Sequence, residues 1–98
     1  MNLDNENQIK QFKDKGILAI KQNYPYKGSA IRIHIKGVFF CTAEVEAIYD
    51  LLNHDLALLL YKYLGQSGFK NIKEWQQNLG TVDRIRDPGY LVIIRRVP

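Results

Sequence analysis

The side chains best suited to bind a ligand are concentrated in residues 24–36. Tyr24 and Tyr26 flank a proline, and Arg32, His34 and Lys36 alternate with three isoleucines. Alternation with a period of two is typical of a half-buried β-strand, so we expect the three polar side chains to share its solvent face. Aromatic rings stack on bases and cations contact phosphates, which is the chemistry of a single-stranded nucleic-acid site.

The candidate nucleic-acid site combines aromatic, basic and hydroxyl side chains of this stretch with one preceding lysine and two arginines near a later turn. Its members are Lys21, Tyr24, Tyr26, Lys27, Ser29, Arg32, His34, Lys36, Arg84 and Arg86. Structural alternatives exist, since tyrosines can cover the end of a barrel, a lone exposed histidine is usually only solvated, and cations protect strand edges from aggregation. The clustering of the cations slightly favours binding.

The charge distribution permits a polyanionic partner. The chain has 98 residues and a net charge of +4. Residues 10–38 carry seven basic side chains against one acidic, whereas residues 39–55 carry four acidic side chains and no lysine or arginine. RNA or single-stranded nucleic acid is therefore the expected partner, although many basic domains only have a solvated lysine face.

Several other classes of protein are disfavoured. The single cysteine, Cys41, excludes an intramolecular disulfide, and one cysteine with two histidines speaks against a zinc site. We predict no metal and no cofactor. The sequence has no apolar run of about 20 residues and begins with polar residues rather than a signal peptide. We therefore expect a cytoplasmic protein without a membrane partner.

The order of predicted elements is a helix, three strands, two helices and a final strand, all in one domain spanning residues 1–98. The first helix covers residues 4–15, begins at Asp4 and ends at Gly16. Residues 17–20 form a short buried strand, and the alternating strand follows. Residues 38–51 form a long strand, with Cys41, Ala43, Val45 and Ala47 on one face and Phe40, Thr42, Glu44, Glu46 and Ile48 on the other.

The second half of the chain contains two predicted helices and the last strand. Residues 55–64 are apolar nearly all round, which predicts a helix that is largely buried or meets a partner. Asn71 and Glu74 have capping-box spacing before a helix over residues 72–79, with Trp75 in the core. Residues 90–97 are strongly β-prone. This pattern predicts an α+β fold: a small barrel or half-barrel whose last strand pairs with early ones, or else an open antiparallel sheet with helices on one face.

Four segments resemble ASCH domains, which belong to the PUA-like superfamily of small β-barrels. They are residues 26–34, 43–48, 68–75 and 90–95, and the resemblance spans residues 17–97. It implies a PUA-like mixed β-barrel or half-barrel over residues 17–98, preceded by an N-terminal helix in residues 1–16 and with two helices inserted before the last strand. It also implies a cleft for RNA or a modified nucleoside and, in some members, hydrolysis of an acylated cytidine.

The catalytic signature of that family is degenerate in this chain. The family pattern is Lys-x-x-Glu-x-Arg, and the corresponding residues are 16–21. Gly16 replaces the lysine, Ala19 replaces the glutamate, and Lys21 alone keeps the cation. Binding without catalysis is therefore the main prediction.

Two alternatives remain open. One is an amidohydrolase that acts on a modified nucleoside. In it, residues outside the signature positions would serve as the base and as the charge-stabilising partner. Its candidate groups are Lys15 or Lys21 with Glu44 or Glu74. The other is a protein-interaction module that forms a homodimer through the apolar helix of residues 55–64.

Overall fold

The structure, a computed structural model, describes residues 1–26, 28, 30–80 and 88–98. Within these ranges the chain forms a curled five-stranded sheet, a half-barrel, with three α-helices. In chain order the elements are β1 (Asn2–Leu3), α1 (Glu6–Lys15), β2 (Ile17–Gln22), β3 (Ala30–Ile35), β4 (Val38–Asp50), α2 (Leu56–Tyr63), a 3₁₀ turn (Leu64–Gln66), α3 (Ile72–Leu79) and β5 (Tyr90–Arg96). The α+β class predicted from the sequence is confirmed.

The strand order in the sheet is β1-β3-β4-β5-β2. The pair β1–β3 is parallel, and the other three pairs are antiparallel. The last strand returns to lie between β4 and β2, as the sequence predicts. The short strand β1 was not predicted, because two residues are too few to show a period.

Two hydrophobic cores lie on opposite faces of the sheet. The first contains Phe12 of α1, and the second contains Trp75 of α3, as the sequence predicts for this tryptophan. Strands β2 and β5 contribute to both cores: Val92 and Ile94 face the first, whereas Leu91 and Ile93 face the second. Because helices cover both faces of these strands, the alternative with helices on one face only is wrong.

Among the described residues, one face of strand β3 and of the first half of β4 packs on a core, and the other face is uncovered. Ile33 is fully buried in the first core, whereas its neighbour Arg32 is exposed. Arg32 pairs with Thr42, and His34 pairs with Phe39. Directly paired residues share a face of a sheet. The uncovered side of this hairpin, called here the open face, therefore carries Arg32, His34, Phe39, Thr42 and Glu44.

Two β-bulges in β4 change the predicted faces of that strand. The register shifts between Ile33 and His34, and the extra residue lets Phe40 pack in the first core, edge-to-face with Phe12. The prediction that Phe40 shares a face with Thr42 is therefore wrong. A second shift between Val45 and Ala47 moves Ala47 into the second core, away from the face of Val45.

The helix ends differ slightly from the predictions. Asn5, not Asp4, caps α1, accepting hydrogen bonds from the backbone N–H groups of Asn7 and Gln8. Gly16 ends that helix in the left-handed conformation, with φ 71°, as predicted. At the N-terminus of α3, Asn71 Oδ1 accepts from the Glu74 N–H, which confirms the predicted cap. After α2 the chain continues into a 3₁₀ turn instead of ending at Gly65.

Helix α2 is covered on one side only. Leu59 and Leu60 are buried in the second core, whereas Leu58 and Tyr61 are 68% and 76% exposed. The pairing of two copies through this exposed side stays a prediction. In the part of the chain that the structure describes, no helix has both the length and the apolar character that crossing a membrane requires.

Candidate nucleic-acid interface

Phe39 is the central side chain of the open face. This residue is 53% exposed although it lies within a β-sheet. The guanidinium carbon of Arg32 is 5.7 Å from the centroid of this ring, and the His34 ring centroid is 5.8 Å away at an angle of 72°. Three side chains that can stack on a base or contact a phosphate therefore form one contiguous surface.

The pairing of β3 with β4 holds this surface in place. Ile31 and Ile33 anchor β3 in or against the first core, and this orients Arg32 and His34 outward. A two-residue turn at Lys36 and Gly37, with φ angles of 49° and 83°, sets His34 opposite Phe39. Phe39 therefore lies in a paired strand rather than in a loop.

Lys36 does not join Arg32 and His34 on the open face. Strand β3 ends at Ile35, and Lys36 lies in the turn, where its ammonium forms an ion pair with Glu6 of α1. The hydrogen bond to Lys36 and its positive charge lower the pKa of Glu6, and the same contact raises the pKa of Lys36. The predicted row of three outward polar side chains is thus reduced to two.

The tyrosine turn is separate from the open face. The Tyr26 ring packs against the first core, on the opposite side of the sheet from Arg32, and its hydroxyl donates to Gln22 Oε1 at 3.3 Å. Burial, and to a smaller extent Tyr24, raises the pKa of Tyr26. Tyr24 is 69% exposed and packs edge-to-face on Tyr26, with ring centroids 6.4 Å apart. Tyr26 therefore covers the interior of the half-barrel. Of the two tyrosines in this turn, Tyr24 is the exposed one.

Lys21 lies at the far edge of the sheet, on β2. Its side chain rests against Gly89: a Cβ on Gly89 would lie 3.1 Å from Lys21 Cε. Lys21 lines a cavity at the edge of the barrel and is not part of the open face. The remaining predicted site residues, Lys27, Ser29, Arg84 and Arg86, lie outside the described residues.

Acidic groups border the open face on the side of β5. Arg95 Nε donates to Glu46 Oε1 at 2.8 Å, and Glu44 is paired in register with both Ala30 and Arg95. Arg96 points to the opposite side, where its guanidinium carbon lies 4.9 Å from the Phe40 ring centroid. Arg95 and Arg96 face opposite sides of the sheet because they are adjacent in a strand. The face therefore changes from cationic at β3 to mixed charge at β5.

Phe39 is the exposed aromatic residue of the candidate site that the sequence analysis missed. A signal was present: two adjacent phenylalanines follow Gly37 in a strand, and adjacent strand residues point to opposite faces. One of the two rings must therefore point away from the core.

The groups considered for hydrolysis are distributed over different parts of the molecule. Lys15 and Glu74 line the same cavity of about 540 Å³ between α1 and the start of α3. Glu44 lies on the open face and Lys21 at the other cavity. Gly16, at the position of the signature lysine, is the C-cap of α1, and Ala19, at the position of the signature glutamate, is fully buried.

No group of three or more histidine, cysteine or carboxylate side chains within residues 1–26, 28, 30–80 and 88–98 is placed to hold a metal ion. Comparison with known proteins finds no family model, no curated protein and no solved structure with significant similarity to this chain.

Proposed function

We propose that this chain is a small PUA-like domain of the ASCH type that binds RNA or another single-stranded nucleic acid on its open face. The observation that carries the proposal is the exposed Phe39, whose ring lies within 6 Å of both Arg32 and His34 on the β3–β4 hairpin. An aromatic ring exposed within a sheet and flanked by a cation is the usual platform for single-stranded nucleic acids.

In the proposed complex each side chain of the open face has one role. A base stacks on the exposed part of the Phe39 ring, and the Arg32 guanidinium, 5.7 Å from that ring, contacts the adjacent phosphate. His34 stacks on or hydrogen-bonds to a neighbouring base. Thr42, in register with Arg32, offers a hydroxyl to a base edge. Stacking and phosphate contacts are largely independent of sequence, so we expect weak sequence preference.

The order of elements supports the PUA-like assignment. The segments that resemble ASCH domains lie around β3, in β4, in α3 with its preceding turn, and in β5, and the last strand returns into the sheet. Loss of the signature lysine and glutamate at Gly16 and Ala19 supports binding over catalysis, because no ionisable group replaces them at those positions.

Fluorescence anisotropy with labelled single-stranded RNA and DNA at about 50 mM and about 200 mM salt tests the proposal. We expect binding that weakens with salt, and much weaker binding to a duplex, whose stacked bases cannot reach Phe39. Absence of salt-sensitive binding to any single-stranded oligonucleotide would refute the proposed function.

A second candidate is hydrolysis of a modified nucleoside in the cavity between α1 and α3. The observation in its favour is that Lys15 and Glu74 share the wall of that cavity, which is large enough for a nucleoside. Incubation of the protein at high concentration with acylated cytidines tests this. Turnover that is lost in Lys15→Met and in Glu74→Gln would support it, and unchanged substrate would exclude it.

A further inference from the structure

A second group of cations around an aromatic ring lies on the other side of the sheet from the open face. The guanidinium carbon of Arg96 is 4.9 Å from the centroid of the Phe40 ring, and Lys13 Nζ is 5.7 Å from the same centroid. Both cations are exposed, whereas Phe40 is half-buried against the first core. These three residues, called here the Phe40 cluster, bring together the last turn of α1, the start of β4 and the end of β5.

The positive charge of the Phe40 cluster is not cancelled by the residues that the structure describes. Among them, neither Lys13 nor Arg96 has a carboxylate within ion-pair distance. The pKa of Glu6 is lowered mainly by its hydrogen bond with Lys36, and Lys13 makes only a minor contribution. Lys15 adds a third cation, since it lines an open cavity of about 530 Å³ together with Arg96. A ligand anion at this place would be attracted by all three cations.

The Arg96 side chain is well placed to contact such an anion. Its backbone N–H donates to Gly16 O at 2.7 Å, which fixes the end of β5 beside the last turn of α1. A guanidinium that lies over an aromatic ring still has N–H donors along its edge, and phosphate oxygens accept from these donors. The contact with Phe40 therefore positions the guanidinium without using up its hydrogen-bonding capacity.

A free strand edge connects the Phe40 cluster to the open face. Strand β5 pairs with β4 only from Ala43 onward, and the Val97 N–H donates to Thr42 O at the end of that pairing. Among the described residues, residues 38–41 therefore pair with β3 alone. Val38, at this edge, is 70% exposed. A ligand can pass around the sheet here, from one face of β4 to the other.

The two phenylalanines lie on opposite sides of this free edge. Phe39 lies on the open face near Arg32, and Phe40 lies near Arg96, although their Cα atoms are only about 3.8 Å apart. A single-stranded nucleic acid is flexible and alternates bases with phosphates, so it can stack a base on Phe39 and bring later phosphates to the Phe40 cluster. A duplex is too stiff for this path, and an acidic peptide has no base to stack on Phe39.

We infer that the Phe40 cluster is a second phosphate-contacting site, which a single-stranded nucleic acid reaches by crossing the free edge of β4 from the open face. This inference rests on the proposed function, because it extends the path of the same bound strand. It assigns Lys13 and Arg96 to the interface, on the side of the sheet opposite Arg32 and His34.

A salt titration followed by anisotropy, with an oligonucleotide of about 12 nucleotides, tests this path. The variant is Lys13→Gln combined with Arg96→Gln, which removes both charges and keeps part of each aliphatic chain. We expect the slope of log K against log salt to fall by about 1–2, since each phosphate contact of a single strand contributes about 0.7. Lys13→Arg combined with Arg96→Lys keeps both charges and should keep the wild-type slope.

The matched control is Lys62→Gln combined with Lys73→Gln. It removes the same charge at exposed positions of α2 and α3, outside both the open face and the Phe40 cluster. Its slope should stay close to that of the wild type. An unchanged slope in Lys13→Gln with Arg96→Gln, or an equal fall in the control, would overturn the inference.

The same titrations separate this inference from the proposed function. If Phe39→Ala weakens binding but the loss of the Lys13 and Arg96 charges leaves the slope unchanged, the inference fails and the proposed function stands. If no single-stranded oligonucleotide binds, both fail. If a polyglutamate peptide binds through Lys13 and Arg96 while oligonucleotides do not, the Phe40 cluster recognises an acidic protein segment, and the inference is wrong.

Discussion

The guanidinium carbon of Arg32 lies 5.7 Å from the centroid of the Phe39 ring, on the open face of the β3–β4 hairpin. The two residues are on neighbouring strands, and both depend on the turn at Lys36 and Gly37 for this arrangement. Because the contact lies between paired strands and both residues are exposed, a flat ligand can reach the aromatic ring without any rearrangement of the backbone.

Phe39→Ala should weaken binding of single-stranded RNA by about 5- to 150-fold. The reason is the loss of one stacked base, worth about 1–3 kcal/mol. The measurement is anisotropy at a fixed salt concentration. Tyr61→Ala is the control, because Tyr61 is an even more exposed aromatic residue and lies on α2, outside the open face. Equal losses in the two variants would contradict a specific role for Phe39.

Arg32→Ala should reduce the dependence of binding on salt. Removing one phosphate contact lowers the slope of log K against log salt by about 1, for all sequences alike. Lys36→Ala should have a smaller effect, since the Lys36 ammonium is already paired with Glu6. A slope that falls equally in both variants would show that Lys36 leaves Glu6 to contact the ligand.

Gly68→Ala should destabilise the fold by about 2 kcal/mol or more. Gly68 has φ +88°, and a Cβ there would lie 2.5 Å from the backbone oxygen of Asn7 in α1. Urea unfolding gives the free energy. The control is Gly65→Ala, where no atom lies within 4 Å of the added Cβ and φ is not positive. That change should be neutral or stabilising by up to about 1 kcal/mol.

The stability of the protein should fall as the pH rises from 10 to about 12. Burial, followed by the hydrogen bond with Tyr49, raises the pKa of Tyr63 from 10.0 to about 12. The folded state therefore favours the neutral phenol. This contribution is complete below pH 10 and is lost as the pH rises toward the folded pKa.

Unfolding measured across that pH range, together with absorbance of the phenolate, checks this prediction. In Tyr63→Phe the fall should be smaller, because the group that titrates is gone. Tyr61→Phe, at an exposed position of the same helix, should behave like the wild type. If Tyr63→Phe showed the same pH dependence as the wild type, ionisation of Tyr63 would not be the cause of the loss of stability.

Local patterns were sufficient for most of the elements. The alternation in residues 30–35, the capping residue Asn71 and the left-handed Gly16 depend on interactions within a few residues of the chain. Such interactions are visible in the sequence, so the type and order of the main elements could be predicted. The burial of Trp75 followed for the same reason, since Ile72 and Leu79 share its side of α3.

These local patterns could not predict which side chains form the open face. The choice of Phe40 for the core and Phe39 for the surface depends on a bulge opposite Ile33, and a bulge is set by pairing between strands. The ion pair of Lys36 with Glu6 joins residues 30 positions apart. Contacts of this kind exist only once α1 has packed against the sheet.

The sequence by itself determined an α+β chain with a basic, aromatic segment in residues 24–36, because strand period, helix caps and charge are properties of neighbouring residues. Only the tertiary structure decided which of those side chains meet. It turned Tyr26 toward the barrel interior and brought Arg32, His34 and Phe39 together. The physical reason is that burial of the apolar side of each strand fixes the orientation of that strand. The polar residues that alternate with the apolar ones then point to the opposite face.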